Sequence, residues 1–332
     1  MFFNFFGETA NEIWEQAYKS VTGACSIETR GGRTKEILHA TMSINNPVQK
    51  WITCKYPPIS IGYALAELIW ILSGSDDAKT INFWNPVLPR YAGDYENYPG
   101  AYGSRIMYRY GFNQLERVYQ TLKNCPESRQ VVVLIWDPET DLPQNSGIPN
   151  NDDIPCNICS LIKVRDHKLE WMQIMRSNDL VLGLPYNLVQ FTSIQEILAS
   201  WLNIEVGTYN HVSDSLHIYE KNEPLLGIQQ CDISNRDSLK IEKKDFKGVV
   251  DKIYSSMVDI SHLECDENKL LGIAMQSTGY EAYDNILKVI CTYAANKMHF
   301  VESRDKIIRE CTNPIYQVMW LNWLKSKAQG GK

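Results

Sequence analysis

The hydrophobic and polar positions fall into blocks with two different periods. Over residues 8–21 they mix at a spacing suited to an opening helix. Thr29-Arg30-Gly31-Gly32-Arg33-Thr34 then marks a turn with basic groups, and strand-like sequence follows it. Residues 59–72 are strongly apolar at helical spacing, yet they carry Glu67 among Ala64, Leu68, Ile71 and Leu72. A carboxylate in such company needs a reason.

Val131-Val132-Val133-Leu134-Ile135-Trp136 is a β-branched run stopped by Asp137-Pro138, which predicts a buried strand. A polar loop then leads to Pro155-Cys156, at the start of a second strand-like stretch over 160–164. Residues 169–175 alternate as a further strand. Gly183-Leu184-Pro185-Tyr186 makes a break, and from about Leu188 to Leu202 the spacing becomes helical again. Beyond Asn222 the character changes to a charged stretch over 240–247 followed by helical segments. The expected layout is a catalytic region over 1–222 and a mostly helical C-terminal extension over 223–332, either appended or within the same globule.

Composition narrows the class. The 332-residue chain is 44% hydrophobic and 22% charged, values of an ordinary globular protein. A net charge of −6 argues against a nonspecific nucleic-acid or membrane coat, so a bound phosphate would have to meet a local Arg cluster. No apolar stretch approaches the ~20 residues that cross a bilayer, and the aromatic start lacks a basic leader. Nine scattered cysteines, an odd number, read as reduced thiols in a cytoplasmic protein.

Three stretches carry candidate chemistry. Cys156 is a potential nucleophile, because a thiolate both attacks and leaves well and a nearby Arg lowers its pKa. A lone cysteine is ordinarily a small buried core residue. Cys156-Asn157-Ile158-Cys159 also has the C-x-x-C spacing of redox and zinc sites, but no second paired motif accompanies it and it leads into a strand. Arg176-Ser177-Asn178-Asp179, with Leu182-Gly183-Leu184-Pro185-Tyr186-Asn187 close behind, combines phosphate ligands with an amide that can complement N3–H and O4 of uracil. His217 and Tyr219, two apart, would share a strand face and suit a sugar hydroxyl. Taken singly, each polar group fits a solvated turn or a satisfied core position equally well.

In order, these stretches resemble the thymidylate synthase and deoxycytidylate hydroxymethylase family: Pro155-Cys156 is similar to its nucleophile dipeptide, Arg176 to Asn187 to its signature loop, and His217-Ile218-Tyr219 to its sugar motif. Weaker matches lie upstream at Arg30, Glu67-Leu68-Ile69-Trp70, Trp84, Tyr102-Gly103 and Pro126-Glu127-Ser128-Arg129, so the resemblance spans residues 8–222. It implies an α/β fold: a mixed β-sheet packed with helices, a sheet-to-sheet homodimer, and here an extra mainly helical C-terminal region.

The resemblance also implies roles. Cys156 would add to C6 of a pyrimidine nucleoside monophosphate, making C5 a nucleophile toward methylenetetrahydrofolate, with no metal involved. Glu67 would relay protons through water, Tyr102 would help remove the C5 proton, and Asp179 would serve both catalysis and folate. Arg30, Arg176 and Ser177 would hold the 5′-phosphate, Arg129 would reach the partner's site, and His217 and Tyr219 would bind the sugar. Trp84, Gly183 and Tyr186 would face folate. Asn187 is the uracil-type choice at the base-reading position.

Three departures bear on the substrate: Asn157 follows the nucleophile where His is usual, Gln130 replaces a second Arg, and Gln190 replaces a small hydroxyl residue. The family's short C-terminal closing tail is not recognisable. Methylation of deoxyuridylate leads, ahead of hydroxymethylation of dUMP, dCMP or CMP. A non-catalytic nucleotide-binding homologue is the alternative of another class.

Overall fold

A computed structural model describes residues 2–29, 31–263 and 265–330. The strands are β1 (Phe3–Gly7), β2 (Ser26–Thr29), β3 (Gly32–Ile44), β4 (Lys55–Tyr56), β5 (Val132–Leu134), β6 (Asn157–Arg165), β7 (Lys168–Met175), β8 (Asn178–Asp179), β9 (Glu205–Tyr219) and β10 (Gly227–Ile228). The first helices are α1 (Ala10–Thr22), α2 (Ile61–Leu72), α3 (Ala78–Trp84), α4 (Pro89–Ala92), α5 (Tyr102–Met107), α6 (Gln114–Asn124), α7 (Pro138–Asp141) and α8 (Leu184–Trp201). The C-terminal region adds α9 (Lys243–His262), α10 (Glu267–Ala274), α11 (Glu281–Lys297), α12 (Val301–Arg309) and α13 (Pro314–Gly330).

The main sheet runs β1-β3-β9-β7-β6-β5, with β2 on β3 and β8 on β9. It is mixed, because β1/β3, β7/β9 and β8/β9 are parallel while β3/β9, β5/β6 and β6/β7 are antiparallel. Period-2 alternation sends one set of side chains inward, beneath the helices. Val133, Ser160, Gln173, His211 and Met42 form one inward row, and Ile162, Trp171, Tyr209 and Ile44 the next. A register shift between Asn157 and Cys159 bulges β6, so Asn157 and Ser160 both turn inward although they are three apart.

The opposite face is open. Leu134, Cys159, Ile174 and Val212 are aligned on it, beside Val132, Leu161 and Met172. Val132, Leu134 and Met172 are 42%, 43% and 37% exposed. The run 131–136 therefore differs from the buried strand its composition predicts: it is an edge strand of three residues in which only Val133 is buried. A β-branched run reports strand propensity but not whether a second layer covers it.

Buried α2 lies at the centre of the helical layer, capped by Ser60, whose hydroxyl accepts from Tyr63 N. It packs against α8, α9 and α11, so the C-terminal helices share one hydrophobic core with the sheet and α2. Gly62 permits the approach of α11: a Cβ there would fall 2.5 Å from Tyr293 Cβ. Helix α8 starts at Leu184, earlier than the spacing indicates, because Pro185 sits in its first turn, where no N–H is needed. That start places Asn187 in the helix, with its backbone N donating to Gly183 O.

Candidate active site

Glu67 is the one residue of α2 that is not fully buried. Tyr63 Oη donates to its Oε1 at 2.6 Å, and Gln190 Nε2, from α8, donates to its Oε2 at 2.5 Å. Burial pushes its carboxyl up to about 7, against the pull of these two hydrogen bonds. It therefore changes protonation near neutrality.

Cys156 is half-buried at the mouth of β6. Arg176 fixes the chain there: its backbone N donates to Cys156 O at 3.0 Å, while Nε and Nη2 donate to the carbonyls of Pro155 and Ile154 at 3.1 Å each. The guanidinium also lies 5.5 Å from the Trp136 ring centre. Burial raises the thiol pKa, the Arg176 charge opposes that rise, and Asp153 and Asp179 reinforce it. Tyr102, at the start of α5, is close by: burial raises its hydroxyl pKa, negative charge at Cys156 adds to the rise, and hydrogen bonding to Asn157 counters it.

Asp179 Oδ1 accepts from Val181 N at 2.7 Å and Leu182 N at 3.0 Å, which holds the loop before α8. Gly183 N donates to Asp179 O, and Asn187 Nδ2 donates to Gly183 O at 3.0 Å. Asp179 also lies opposite His217 in the β8/β9 register. Past Asp214 the alternation of β9 inverts, burying Leu216 and Ile218 and leaving His217 and Tyr219 half-buried. The inversion coincides with an interruption of the β3/β9 register at His39, which has φ 57°. The His217 and Tyr219 rings meet edge to face at 5.3 Å.

The structure thus links Glu67, Tyr102, Cys156, Arg176, Asp179, Gly183, Asn187 and His217 through neighbouring charges, hydrogen bonds and strand register, with Ser177 between Arg176 and β8. Arg30 lies outside the described residues. Arg129 is exposed on the loop before β5. Tyr186 is half-buried against Tyr63, with ring centres 5.0 Å apart, and its hydroxyl accepts from Ser60 N.

Trp84 departs from its expected place facing folate. It is 1% exposed, and its indole N–H donates to Ile290 O at 3.3 Å, because α11 covers α3. Two neighbours escape sequence reasoning. Asp153, its carboxyl raised by burial, accepts from Gly100 N at 2.6 Å and faces Cys156. Lys55, lowered to about 8 by burial, feels the opposing field of Asp179. Neither sits in a local pattern that marks it; the fold alone brings them here. Among the described residues no cluster of His, Cys, Asp and Glu is arranged to hold a metal ion. Cys156 and Cys159 are both free thiols, and Cys159 belongs to the row on the open face.

With this geometry in hand, the sequence model of the thymidylate synthase family matches residues 11–268, and the chain belongs to that family. The match runs past Asn222, into the helical region. The chain is similar to the deoxyuridylate hydroxymethyltransferase of Bacillus phage SP01, 34% identical over 204 residues, which are 58% of this chain and 52% of that protein. It is 30% identical over 203 residues to the deoxyuridylate hydroxymethyltransferase of Delftia phage PhiW-14, covering 59% and 56% of the two chains. Against the thymidylate synthase of Francisella tularensis subsp. holarctica the identity is 29% over 182 residues, covering 49% and 63%. The chain spans about half the length of the phage relatives it matches. In structure it is similar to the thermostable thymidylate synthase A from Bacillus subtilis, with TM-score 0.58 and 19% identity over 72% of this chain and 91% of that one, which supports the shared fold.

Proposed function

We propose that this chain transfers a one-carbon unit to C5 of deoxyuridylate through a covalent adduct on Cys156. The observation that carries the reading is the convergence of a half-buried thiol, a hydroxyl, a carboxyl that titrates near neutrality and a base-reading amide. Cys156 Sγ adds to C6, and the C5=C6 electron pair moves toward C4=O to make an enolate. C5 then attacks the one-carbon carbon and loses its proton, and departure of tetrahydrofolate from that carbon leaves an exocyclic methylene at C5. This methylene takes hydride from tetrahydrofolate, giving methyl and dihydrofolate, or hydroxide from water, giving hydroxymethyl, as the C5=C6 bond re-forms and the Cys156 thiolate leaves. Glu67 exchanges protons at the ring oxygen, and Tyr102 orders the C5 proton's departure.

Arg176 spends Nε and Nη2 on carbonyls, which leaves Nη1 for a phosphate oxygen, with Ser177 beside it in sequence. His217 and Tyr219 take the sugar. Methylenetetrahydrofolate is the one-carbon donor, held by Asp179, Gly183 and Tyr186; Trp84, sealed beneath the helical layer, has no part in it. The open sheet face is the homodimer surface, and Arg129, next to edge strand β5, reaches the partner's site. Free cysteines suit a cytoplasmic location.

Methylation is supported by the synthase relatives. A second product reading, hydroxymethylation, is supported by the phage relatives and by one observation: Gln190 Oε1 is buried without a hydrogen-bond partner beside Glu67. A water held there would receive two acceptors and could attack the C5 methylene. The experiment is incubation with deoxyuridylate and methylenetetrahydrofolate, with mass analysis of the nucleotide. Methyl product comes with dihydrofolate and hydroxymethyl product comes without it. Deoxyuridylate binding with neither product, unchanged in Cys156→Ala, would instead identify a non-catalytic homologue.

A further inference from the structure

Behind Asn187 lies a line of buried side chains given no role in the reaction above, of which only Asn157 also touches a reacting-site residue, through its hydrogen bond with Tyr102. Trp171 Nε1 donates to Gln173 Oε1 at 3.1 Å, and Ser160 Oγ donates to the same oxygen at 2.7 Å. Gln173 Nε2 donates to Asn157 Oδ1 at 2.8 Å, and Asn157 Nδ2 donates to Asn187 Oδ1 at 3.3 Å. Asn187 Nδ2 donates to Gly183 O at 3.0 Å and makes a long contact of 3.4 Å with Asn178 Oδ1. Gln173 and Asn157 are wholly buried, and Trp171 is 2% exposed.

The two ends of this line decide its direction. An indole N–H can only donate and a backbone carbonyl can only accept, whereas each amide between them could be turned either way. Trp171 therefore fixes Gln173, Gln173 fixes Asn157, and Asn157 fixes Asn187, while Gly183 O enforces the same sense from the far end. Turning Asn187 over would set N–H against N–H at Asn157 and oxygen against oxygen at Gly183.

We propose that Trp171, Gln173 and Asn157 act as positioning residues that lock the amide polarity of Asn187, and so select a 4-oxo pyrimidine over a 4-amino one. The inference rests on the reading of Asn187 as the base-recognition residue. In the locked sense, Oδ1 keeps one lone pair for a ring N3–H, and an N–H is released to a ring O4 by replacing the long contact to Asn178. A cytosine ring presents an N3 acceptor and a 4-amino donor, the reverse pattern, and would require the disallowed turn. Only the tertiary register makes this line: Ser160 and Gln173 are cross-strand partners, and the bulge in β6 brings Asn157 onto their face.

The test measures dissociation constants of dUMP and dCMP by calorimetry for the full chain, with turnover recorded separately. Gln173→Met removes the lock without touching the nucleotide, and Asn157→Asp replaces the Nδ2 donor that faces Asn187 Oδ1 with an acceptor. Ile162→Val controls for a loosened sheet, since Ile162 is equally buried and outside the line. The expected result is a strong dUMP preference in the native chain, a drop in that preference of about 10-fold or more in both relay variants, and no change in the control. An unchanged preference in folded relay variants overturns the proposal, as does a native preference for dCMP or no binding of either nucleotide. Turnover failing while the binding preference behaves as expected would sink the catalytic reading alone.

Discussion

Gln190 Nε2 lies 2.5 Å from Glu67 Oε2, which ties α8 to the centre of α2 through a carboxyl raised to about 7. Because the folded pKa lies above the reference value of 4.5, the native state binds the proton more tightly than the unfolded state. The associated stabilisation is fully present below about pH 4.5 and is lost as pH rises through about 7. Glu67→Gln should remove this dependence, so native minus variant stability should fall by on the order of 3 kcal/mol over that window. Urea unfolding of both proteins at several pH values measures it; parallel pH profiles would contradict the assignment.

Gly62 packs directly on Tyr293 of α11. In Gly62→Ala the new methyl would meet Tyr293 Cβ at 2.5 Å, and both lie in rigid helices, so the contact must open. The expected cost is about 1–3 kcal/mol by denaturant unfolding, as for other overpacked sites. No loss of stability would mean that α11 is not seated on α2.

Lys50 and Glu196 form a buried ion pair at 2.8 Å, with Glu196 also accepting from Leu239 N at 2.8 Å. Lys50→Met strands the carboxylate inside the protein and should cost about 3–5 kcal/mol. Adding Glu196→Gln to that variant removes the stranded charge, and chemical denaturation should show part of the stability regained. A double variant weaker than the sum of the single changes would contradict this account.

Leu134 projects from the open sheet face beside Cys159 and Ile174. If two copies meet there, Leu134→Lys puts two buried charges into a two-fold interface and should convert dimer to monomer in sedimentation equilibrium. A native chain that sediments as a monomer would remove the dimer from the proposal, and with it the role of Arg129.

Much of the site is legible along the chain because its chemistry is local in sequence. Arg176 to Asn187 spans the short strand β8, one turn and the first turn of a helix, so the proposed phosphate, folate and base ligands appear as one motif. His217 and Tyr219 are separated by the strand period, which places them on a common face wherever that face points. Glu67 is conspicuous because a carboxylate interrupts an apolar helix. Trp84 reads as a ligand-facing aromatic, since the sequence marks its size but not the helix that comes to cover it.

The sequence by itself therefore supplied the candidate nucleophile, the signature-loop motif and the helical character beyond residue 222, which depend on spacing within a few residues, while the α/β class came from the resemblance those motifs carry. Tertiary structure decided what depends on distant segments meeting. It left Val132 and Leu134 of the run 131–136 exposed on the open face, seated α11 over Trp84, brought Asp153 and Lys55 toward Cys156 and Asp179, and aligned Trp171, Gln173 and Asn157 behind Asn187. The reason is physical: burial, pKa shifts and amide polarity are set by neighbours across the sheet, and strand register, unlike periodicity, is not written in any single segment.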